Sequence, residues 1–378
     1  MDLDMRYPAL SDLQAHARRR VPRFVWEYLE SATGDESAHR RNAEALDAVV
    51  LKTDILGGPL KIDLTTDFLG RTISAPVGIA PVGMSGLVWP GAERTLARLA
   101  ASESIPYGLS TVAAMTPEDL APHIGDQGWF QLYPPGDPEV RADILSRARD
   151  AGFHTLVLTV DLAAASRRER QTRAQLTQPM KITPRLVLEA ALRPEWSLAT
   201  LRNGTPSLAT LEKYADVRTA RSPTAHAGYL LRTAPDWNYL KDLRDLWPGH
   251  LIVKGVLGTE PIARLIDAGV DAVWVSNHGG RQFSAAPTAL DVLPAIRDAV
   301  GADYPVICDG AVRSGTDVLR MIAKGADLVM LGRAWHWGVA ARGAAGAAHV
   351  LHVLKAGMRA DMAQMAISRP VDVRARLP

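Results

Sequence analysis

The stretch TLVLTVD, Thr155 to Asp161, sets the reading of this chain. A nearly unbroken run of Leu, Val and Thr that ends on a carboxylate is short for a helix. Its lack of alternation with charged residues indicates a strand covered on both faces. Seven further runs of the same kind flank it: APVGIAP from Ala75, PYGLS from Pro106 and WFQLY from Trp129 on one side, then HLIVKG from His250, DAVWVSN from Asp271, YPVICDG from Tyr304 and DLVMLGR from Asp327 on the other. Most spacings are about 20 to 35 residues, the length of one strand plus one helix. Eight such units predict an α/β fold of the (β/α)8 TIM-barrel type. A doubly wound sheet is disfavoured, because it would show fewer strands and a glycine-rich turn after the first, and PVGMSG (81–86) lacks the G-x-G-x-x-G spacing.

Residues 1–70 read as an N-terminal helical segment, with Ser11-Asp12 a candidate cap before LQAHARRR. Residues 75–366 form the barrel, and the whole chain of 378 residues reads as a single domain. The fourth and fifth runs lie roughly 90 residues apart, so residues 170–235 read as an insertion after strand four, on the face where barrel active sites are built. Within it, Val217 to Gly228 is expected to be mobile.

Hydrophobic residues make up 47% and charged residues 22%, which excludes a disordered, collagen-like or coiled-coil architecture. The single cysteine, Cys308, excludes a disulfide framework and a cysteine-rich metal centre, so no metal site is expected and any redox chemistry needs a borrowed cofactor. The overall charge, 43 basic against 41 acidic residues, conceals an asymmetry. Between Leu162 and Thr233 there are 12 Lys+Arg and 5 Asp+Glu, so that stretch carries 12 − 5 = +7 and the remainder +2 − 7 = −5. Such a stretch suits an anionic partner or a solvated loop. Met1 to Arg20 lacks a signal-like apolar core, and no run approaches the roughly 20 apolar residues of a membrane span. A cytoplasmic protein, soluble or peripheral on the inner face of the cell membrane, is expected.

The polar residues at the ends of the eight runs converge on one pocket in this fold. They are Pro81-Val82-Gly83, Ser110, Gln131 with Tyr133, Thr159 with Asp161, Lys254, Ser276-Asn277-His278, Asp309-Gly310 and Gly332-Arg333. In Ser276-Asn277-His278-Gly279-Gly280-Arg281-Gln282 a histidine able to act as base precedes an arginine able to grip a carboxylate. The loops Asp309-Gly310-Ala311-Val312-Arg313 and Leu331-Gly332-Arg333 follow strands seven and eight, where barrels commonly hold phosphate.

These residues resemble the FMN-dependent 2-hydroxy-acid dehydrogenase and oxidase family, which includes glycolate oxidase and the flavin-dependent lactate and mandelate dehydrogenases. VWEYLESATGDE, FQLY, LTVD with the following RRER, VKGV, SNHGGRQ, DGAVRSGTDV and LGRA occur in family order. ALRPEWSL and RDLWP with LIVKG resemble the mandelate dehydrogenase branch. The resemblance implies FMN as cofactor and His278 as the base that takes a proton from C2 or from the substrate hydroxyl, with Asp161 holding its imidazole. Arg281 and Arg168 would grip the substrate carboxylate, Tyr28 and Tyr133 would bond the substrate, and Lys254 would stabilise anionic reduced flavin. Pro81, Val82, Gly83, Ser110, Gln131, Thr159 and Ser276 match flavin-contacting positions, and Asp309 would meet the ribityl chain. Gly310, Arg313, Gly332 and Arg333 would hold the phosphate.

Ala311 stands where the family often has glycine, and Val112 replaces a common Trp, which reshapes the substrate pocket. Gly83 occupies a position that is commonly Ala in oxidases, and favours a non-oxygen acceptor. The implied activity is oxidation of an (S)-2-hydroxy acid, mandelate-like with an aromatic or bulky side chain, with electrons passed to a quinone-type acceptor. A lactate dehydrogenase and an oxygen-using 2-hydroxy-acid oxidase are the alternatives. A non-catalytic anion-binding barrel is the remote one, and no aromatic-interleaved basic motif supports nucleic acid. A homotetramer is implied. Met180 to Leu201 fits a helix lying on an anionic membrane surface or one packed on the barrel.

Overall fold

The computed structural model describes residues 2–175, 183–214 and 233–378. Eight parallel strands close a barrel: β3 (Val77–Ile79), β4 (Tyr107–Ser110), β5 (Gly128–Leu132), β6 (Thr155–Thr159), β7 (His250–Val256), β8 (Ala272–Val275), β9 (Val306–Asp309) and β10 (Leu328–Leu331). β10 pairs with β3 through Val329 opposite Val77 to complete the ring. Every run marked in the sequence supplies one of these strands.

Strand side chains alternate in direction, and that parity builds the site. Trp129, Val157, Ile252, Trp274, Ile307 and Met330 form the barrel's inner core. The inward positions two residues further on are Gln131, Thr159, Lys254, Ser276, Asp309 and Gly332. The polar strand ends therefore form the next layer up, resting on an apolar stack. Residues of the opposite parity, such as Leu156, Val253 and Cys308, belong to the larger cluster between strands and surrounding helices. Cys308 is a buried free thiol, and burial raises its pKa well above the ordinary thiol value.

The helical reading of residues 1–70 holds only to Asp47, through α1 (Leu3–Arg6), α2 (Leu10–Arg20), α3 (Arg23–Glu30) and α4 (Ser37–Asp47). Beyond Asp47 the chain becomes extended, with Gly57-Gly58-Pro59 incompatible with a continuing helix. It then forms an antiparallel hairpin, β1 (Thr66–Phe68) and β2 (Arg71–Ile73). Phe68 and Ile73 from this hairpin join the inner core, with Phe68 stacked 6.0 Å from Trp129, and so close the end of the barrel opposite the site. Ser11-Asp12 is not the cap of α2. Ala9 is, and the Asp12 carboxylate accepts the Ala9 N–H at 3.0 Å from inside the first turn. The insertion contributes helices Pro184–Ala191 and Pro194–Asn203, while Val217 to Gly228 lies outside the described residues.

Candidate active site

Two hydrogen-bond chains cross the strand-end layer. Ser110 Oγ donates to Gln131 Oε1 at 2.7 Å, and Gln131 Nε2 donates to Thr159 Oγ1 at 3.0 Å. Across the barrel, Lys254 Nζ donates to Ser276 Oγ at 2.8 Å, and Ser276 Oγ donates to Asp309 Oδ1 at 2.7 Å. Trp274 Nε1 fixes the other oxygen of Asp309 at 2.9 Å. Lys254 is 5% exposed, with its ammonium 3.9 Å from Asp161 Oδ2 and 3.5 Å from Asp309 Oδ2. One buried cation thus sits between two buried carboxylates, the arrangement that makes such charges tolerable.

A register shift between Lys254 and Val256 sets that geometry. Gly255 at its centre has φ +107, and a Cβ there would lie 2.7 Å from Asp161 Cβ. The bulge therefore requires glycine, and the missing side chain is the space Asp161 occupies.

His278 adopts φ 55, a left-handed conformation that costs a non-glycine residue energy and is often found at functional sites. Its N–H donates to Ser276 Oγ at 3.0 Å, and its Nδ1 lies 3.0 and 3.2 Å from the two Asp161 oxygens. Burial raises the Asp161 carboxyl, but His278 and Lys254 outweigh it and hold the group below the ordinary carboxylate value. An ionised carboxylate only accepts, so Nδ1 carries the proton and Nε2 is left as the basic nitrogen. Burial lowers the His278 pKa below 6.5; Asp161 pulls it up, whereas Lys254 and Arg168 push it down.

Three guanidiniums face the same cavity without a carboxylate among their hydrogen-bond partners in the described residues. Arg281 donates to the carbonyls of Tyr28, Leu29 and Ser31 at 3.0, 3.0 and 2.8 Å. Arg333 donates to Leu29 O at 3.2 Å and to His39 Nδ1 at 3.1 Å. Arg168 donates to Ser166 Oγ at 3.3 Å. Burial holds the Arg281 pKa well below its ordinary value, with Arg168 and Arg333 adding to the effect, as for a buried cation that lacks an anion. Arg313 differs from its expected orientation. It reaches the cavity rim, but its guanidinium donates to Asp47 at 2.8 Å, an acid supplied by the N-terminal segment.

The cavity encloses about 1060 Å3 and is lined by Tyr28, Pro81, Val82, Gly83, Tyr133, Arg168, Lys254, His278 and Arg281. Gly310, Arg313, Gly332 and Arg333 also line it. Ser110, Gln131, Thr159 and Ser276 lie beneath the lining, each at most 2% exposed. Tyr28 donates its hydroxyl to Gly83 O at 2.6 Å, and burial raises the pKa of Tyr28 and of Tyr133, keeping both phenols protonated. Gly310 has φ 119 and Ala311 φ 56, so alanine here takes the left-handed conformation that explains a preference for glycine.

Sequence reasoning missed the part α4 plays. His39 lines the cavity and accepts from Arg333; burial, reinforced by Arg333, lowers its pKa to about 4, so it is neutral. Asn42 and Asn277 exchange amide hydrogen bonds at 2.9 and 2.7 Å, locking α4 onto the turn that carries His278. Gly280 makes this docking possible: its φ is +76, and a Cβ would lie 2.5 Å from His39 N. Gly280→Ala is expected to lose about 1–3 kcal/mol from backbone conformation alone, with more from the clash, and to lower FMN content. Urea titration and flavin absorbance per protein chain check it.

Several cations of the basic insertion are paired with carboxylates, most of them on other parts of the chain. Arg170 bonds Glu27 at 2.6 Å and Glu36 at 3.0 Å, Arg185 bonds Glu189 at 3.2 Å, and Lys213 bonds Asp143 at 2.7 Å. Its helices present two faces. Leu186 and Trp196 are buried, whereas Val187, Leu188, Leu192, Leu198 and Leu201 are 52–80% exposed.

Comparison with known proteins agrees with this geometry. The FMN-dependent dehydrogenase family model matches residues 17–377. The chain is 37% identical to an L-lactate dehydrogenase of Pectobacterium atrosepticum over 94% of this chain and 92% of that one. An L-lactate dehydrogenase of Pseudomonas aeruginosa is 35% identical, over 94% and 93%. The crystal structure of the monotopic membrane protein (S)-mandelate dehydrogenase superposes with a TM-score of 0.91 at 35% identity, covering 97% of each chain. A mandelate oxidase structure with (S)-mandelic acid gives 0.82 at 28% identity, over 98% of this chain and 99% of that one. Barrel, histidine–aspartate pair and sequence thus lead to one assignment: the chain belongs to the FMN-dependent dehydrogenase family of 2-hydroxy-acid oxidoreductases.

Proposed function

We propose that the protein oxidises an (S)-2-hydroxy acid bearing a bulky or aromatic, mandelate-like side chain to the 2-oxo acid. The observation that carries this is the His278–Asp161 pair, 3.0 Å apart, facing a cavity with three guanidiniums and no carboxylate among their partners in the described residues. A base beside anion receptors suits a substrate that is both an acid and an alcohol.

The donor set fits FMN. Arg333, the N–H groups opening the helix Arg333–Gln364 and the loop at Gly310 supply cation and backbone donors for a phosphate, with Gly332 leaving room and Arg313 at the rim. Pro81, Val82, Gly83 and Asp309, at the cavity wall, would supply polar groups for the ring and ribityl chain, with Ser110, Gln131, Thr159 and Ser276 in the polar layer directly beneath. FMN, when bound, accepts the two electrons released as the substrate carbinol becomes a carbonyl.

Arg281 and Arg168 hold the substrate carboxylate. Tyr133, protonated throughout the neutral range, donates to a substrate oxygen, and Tyr28 does so when its hydroxyl turns from Gly83 O to the substrate. His278 Nε2 takes one of the two carbinol hydrogens as a proton, from C2 or from the hydroxyl, the other hydrogen leaving together with the two electrons to the cofactor side, and Asp161 stabilises the imidazolium that forms. Lys254 places its positive charge where negative charge develops on the cofactor side.

This predicts a pH profile. Because His278 must be neutral and its pKa lies below 6.5, kcat/KM rises with pH along an acid limb centred below 6.5 and then levels. Asp161→Asn removes the charge that raises the histidine pKa, so the limb moves lower still, together with a drop in rate. A limb unmoved by the substitution would show that His278 is not the titrating base.

The sequence relatives named L-lactate dehydrogenase favour a second reading with lactate as substrate. Anaerobic bleaching of the bound flavin by a panel of (S)-2-hydroxy acids separates the two. Failure of every member to bleach it would exclude both.

Gly83 supports a quinone-type acceptor rather than oxygen, and rapid hydrogen peroxide formation in air would argue the opposite. A homotetramer and peripheral contact with the inner face of the cell membrane complete the proposal. The exposed leucines of Pro184–Ala191 and Pro194–Asn203 support the membrane contact, and among the described residues no helix is long and apolar enough to cross a membrane. Co-sedimentation with anionic liposomes is expected to fall sharply when Pro179 to Thr205 is deleted.

A further inference from the structure

The cavity continues past the residues assigned to carboxylate, base and cofactor. Besides Tyr28, Gly83 and Val112, its wall includes Phe24, Leu87, Trp196, Leu208 and Thr200. Phe24 precedes Tyr28 by one turn of α3, about 6 Å along the axis at 1.5 Å per residue. Trp196 packs edge-on against Phe24 at 5.8 Å and donates its indole N–H to Leu87 O at 3.1 Å. Leu208 is brought beside the loop after β4 by the hydrogen bond from Ala209 N to Ala113 O, 3.2 Å. The insertion helix, α3 and the first two strand loops therefore build one apolar arm in two layers.

Val112 and Gly83 form the arm's mouth. A Cβ on Gly83 would lie 2.5 Å from Val112 Cγ2, so the two residues are already in contact, and the cavity wall also includes the apolar Phe24, Leu87 and Leu208. A side chain that ends beside Tyr28 and Gly83 leaves the Phe24, Leu87 and Leu208 layer uncovered. An aromatic ring one methylene further from C2 reaches that layer. Apolar walls facing an unfilled space gain affinity from each group that enters.

We infer that the arm accepts the aryl ring of 3-aryl-2-hydroxypropanoates, the phenyl- and indolyl-lactate class, in preference to mandelate or lactate. The inference rests on the 2-hydroxy-acid reading above.

The test titrates the oxidised holoenzyme with pyruvate, phenylglyoxylate and phenylpyruvate, reading dissociation constants from the flavin absorbance. Phenylpyruvate is expected to bind at least about tenfold tighter than phenylglyoxylate, the lower end of what one methylene contributes in an apolar pocket. Equal or weaker binding overturns the inference. Leu208→Phe and Val112→Phe, which occupy the arm and its mouth, should each weaken phenylpyruvate about tenfold or more while changing pyruvate far less. Equal weakening of all three ligands by a variant with full FMN content also overturns it. If a phenylalanine variant loses FMN, Leu208→Met, close in volume, decides by whether the phenylpyruvate preference persists. The two proposals fail separately: no bleaching by any (S)-2-hydroxy acid refutes the activity, whereas bleaching by lactate or mandelate without the phenylpyruvate preference refutes only the arm.

Discussion

His278→Asn is expected to lower the rate of anaerobic flavin reduction by about 100- to 10,000-fold, the usual contribution of a positioned general base, while the protein stays yellow. The expectation follows from the tautomer. With Nδ1–H committed to Asp161 at 3.0 Å, Nε2 is the one basic nitrogen the ring offers. Asparagine keeps a polar side chain that can still donate to Asp161, so the buried carboxylate is not abandoned. Stopped-flow reduction at saturating substrate measures the step directly. A variant that reduces its flavin within about threefold of the parent would remove His278 from the chemistry.

Lys254→Met is the second large effect, and it acts twice. Losing a positioned cation from a buried site is expected to slow flavin reduction by about 100- to 1,000-fold and to shift the flavin potential to more negative values. The substitution also leaves Asp161 and Asp309 without the ammonium that lies 3.9 and 3.5 Å from them, a loss of about 3–5 kcal/mol in stability. Because Lys254 depresses the His278 pKa, its removal should move the acid limb of kcat/KM upward, opposite in sign to Asp161→Asn. Thermal melts, redox titration and the pH profile read the three consequences independently. An unchanged flavin potential would place the lysine away from the cofactor.

The site was legible where it follows strand parity. Buried parallel strands announce themselves as apolar runs, and the inward residue two past the last apolar position is fixed by the pleat. Gln131, Thr159, Lys254, Ser276 and Asp309 could therefore be named from spacing. The rest depended on contacts that leave no local periodic signal. Nothing in the amphipathic pattern of α4 marks His39 as the acceptor for Arg333, or Asp47 as the carboxylate that turns Arg313 to the rim. The three-residue strands of the β1–β2 hairpin are too short for alternation to stand out, so the barrel's lower plug read as part of a helical segment. Counting the +7 charges likewise could not tell Arg168, which meets no carboxylate among the described residues, from Arg170, which is neutralised by Glu27 and Glu36.

The docking of α4 also orders events in time. Asn42 meets Asn277 across 235 residues of chain, and Arg281 binds the carbonyl of Ser31 across 250. At synthesis rates of about 5–20 residues per second, the N-terminal helices wait on the order of ten to fifty seconds for the turn they clasp. α2, whose Leu10, Leu13 and Ala17 are buried in the folded protein, waits longer still, for the late helix Arg333–Gln364 that packs against it. The cofactor cavity is therefore among the last features a nascent chain completes, and FMN can act on the yield of native protein only once most of the chain has been made.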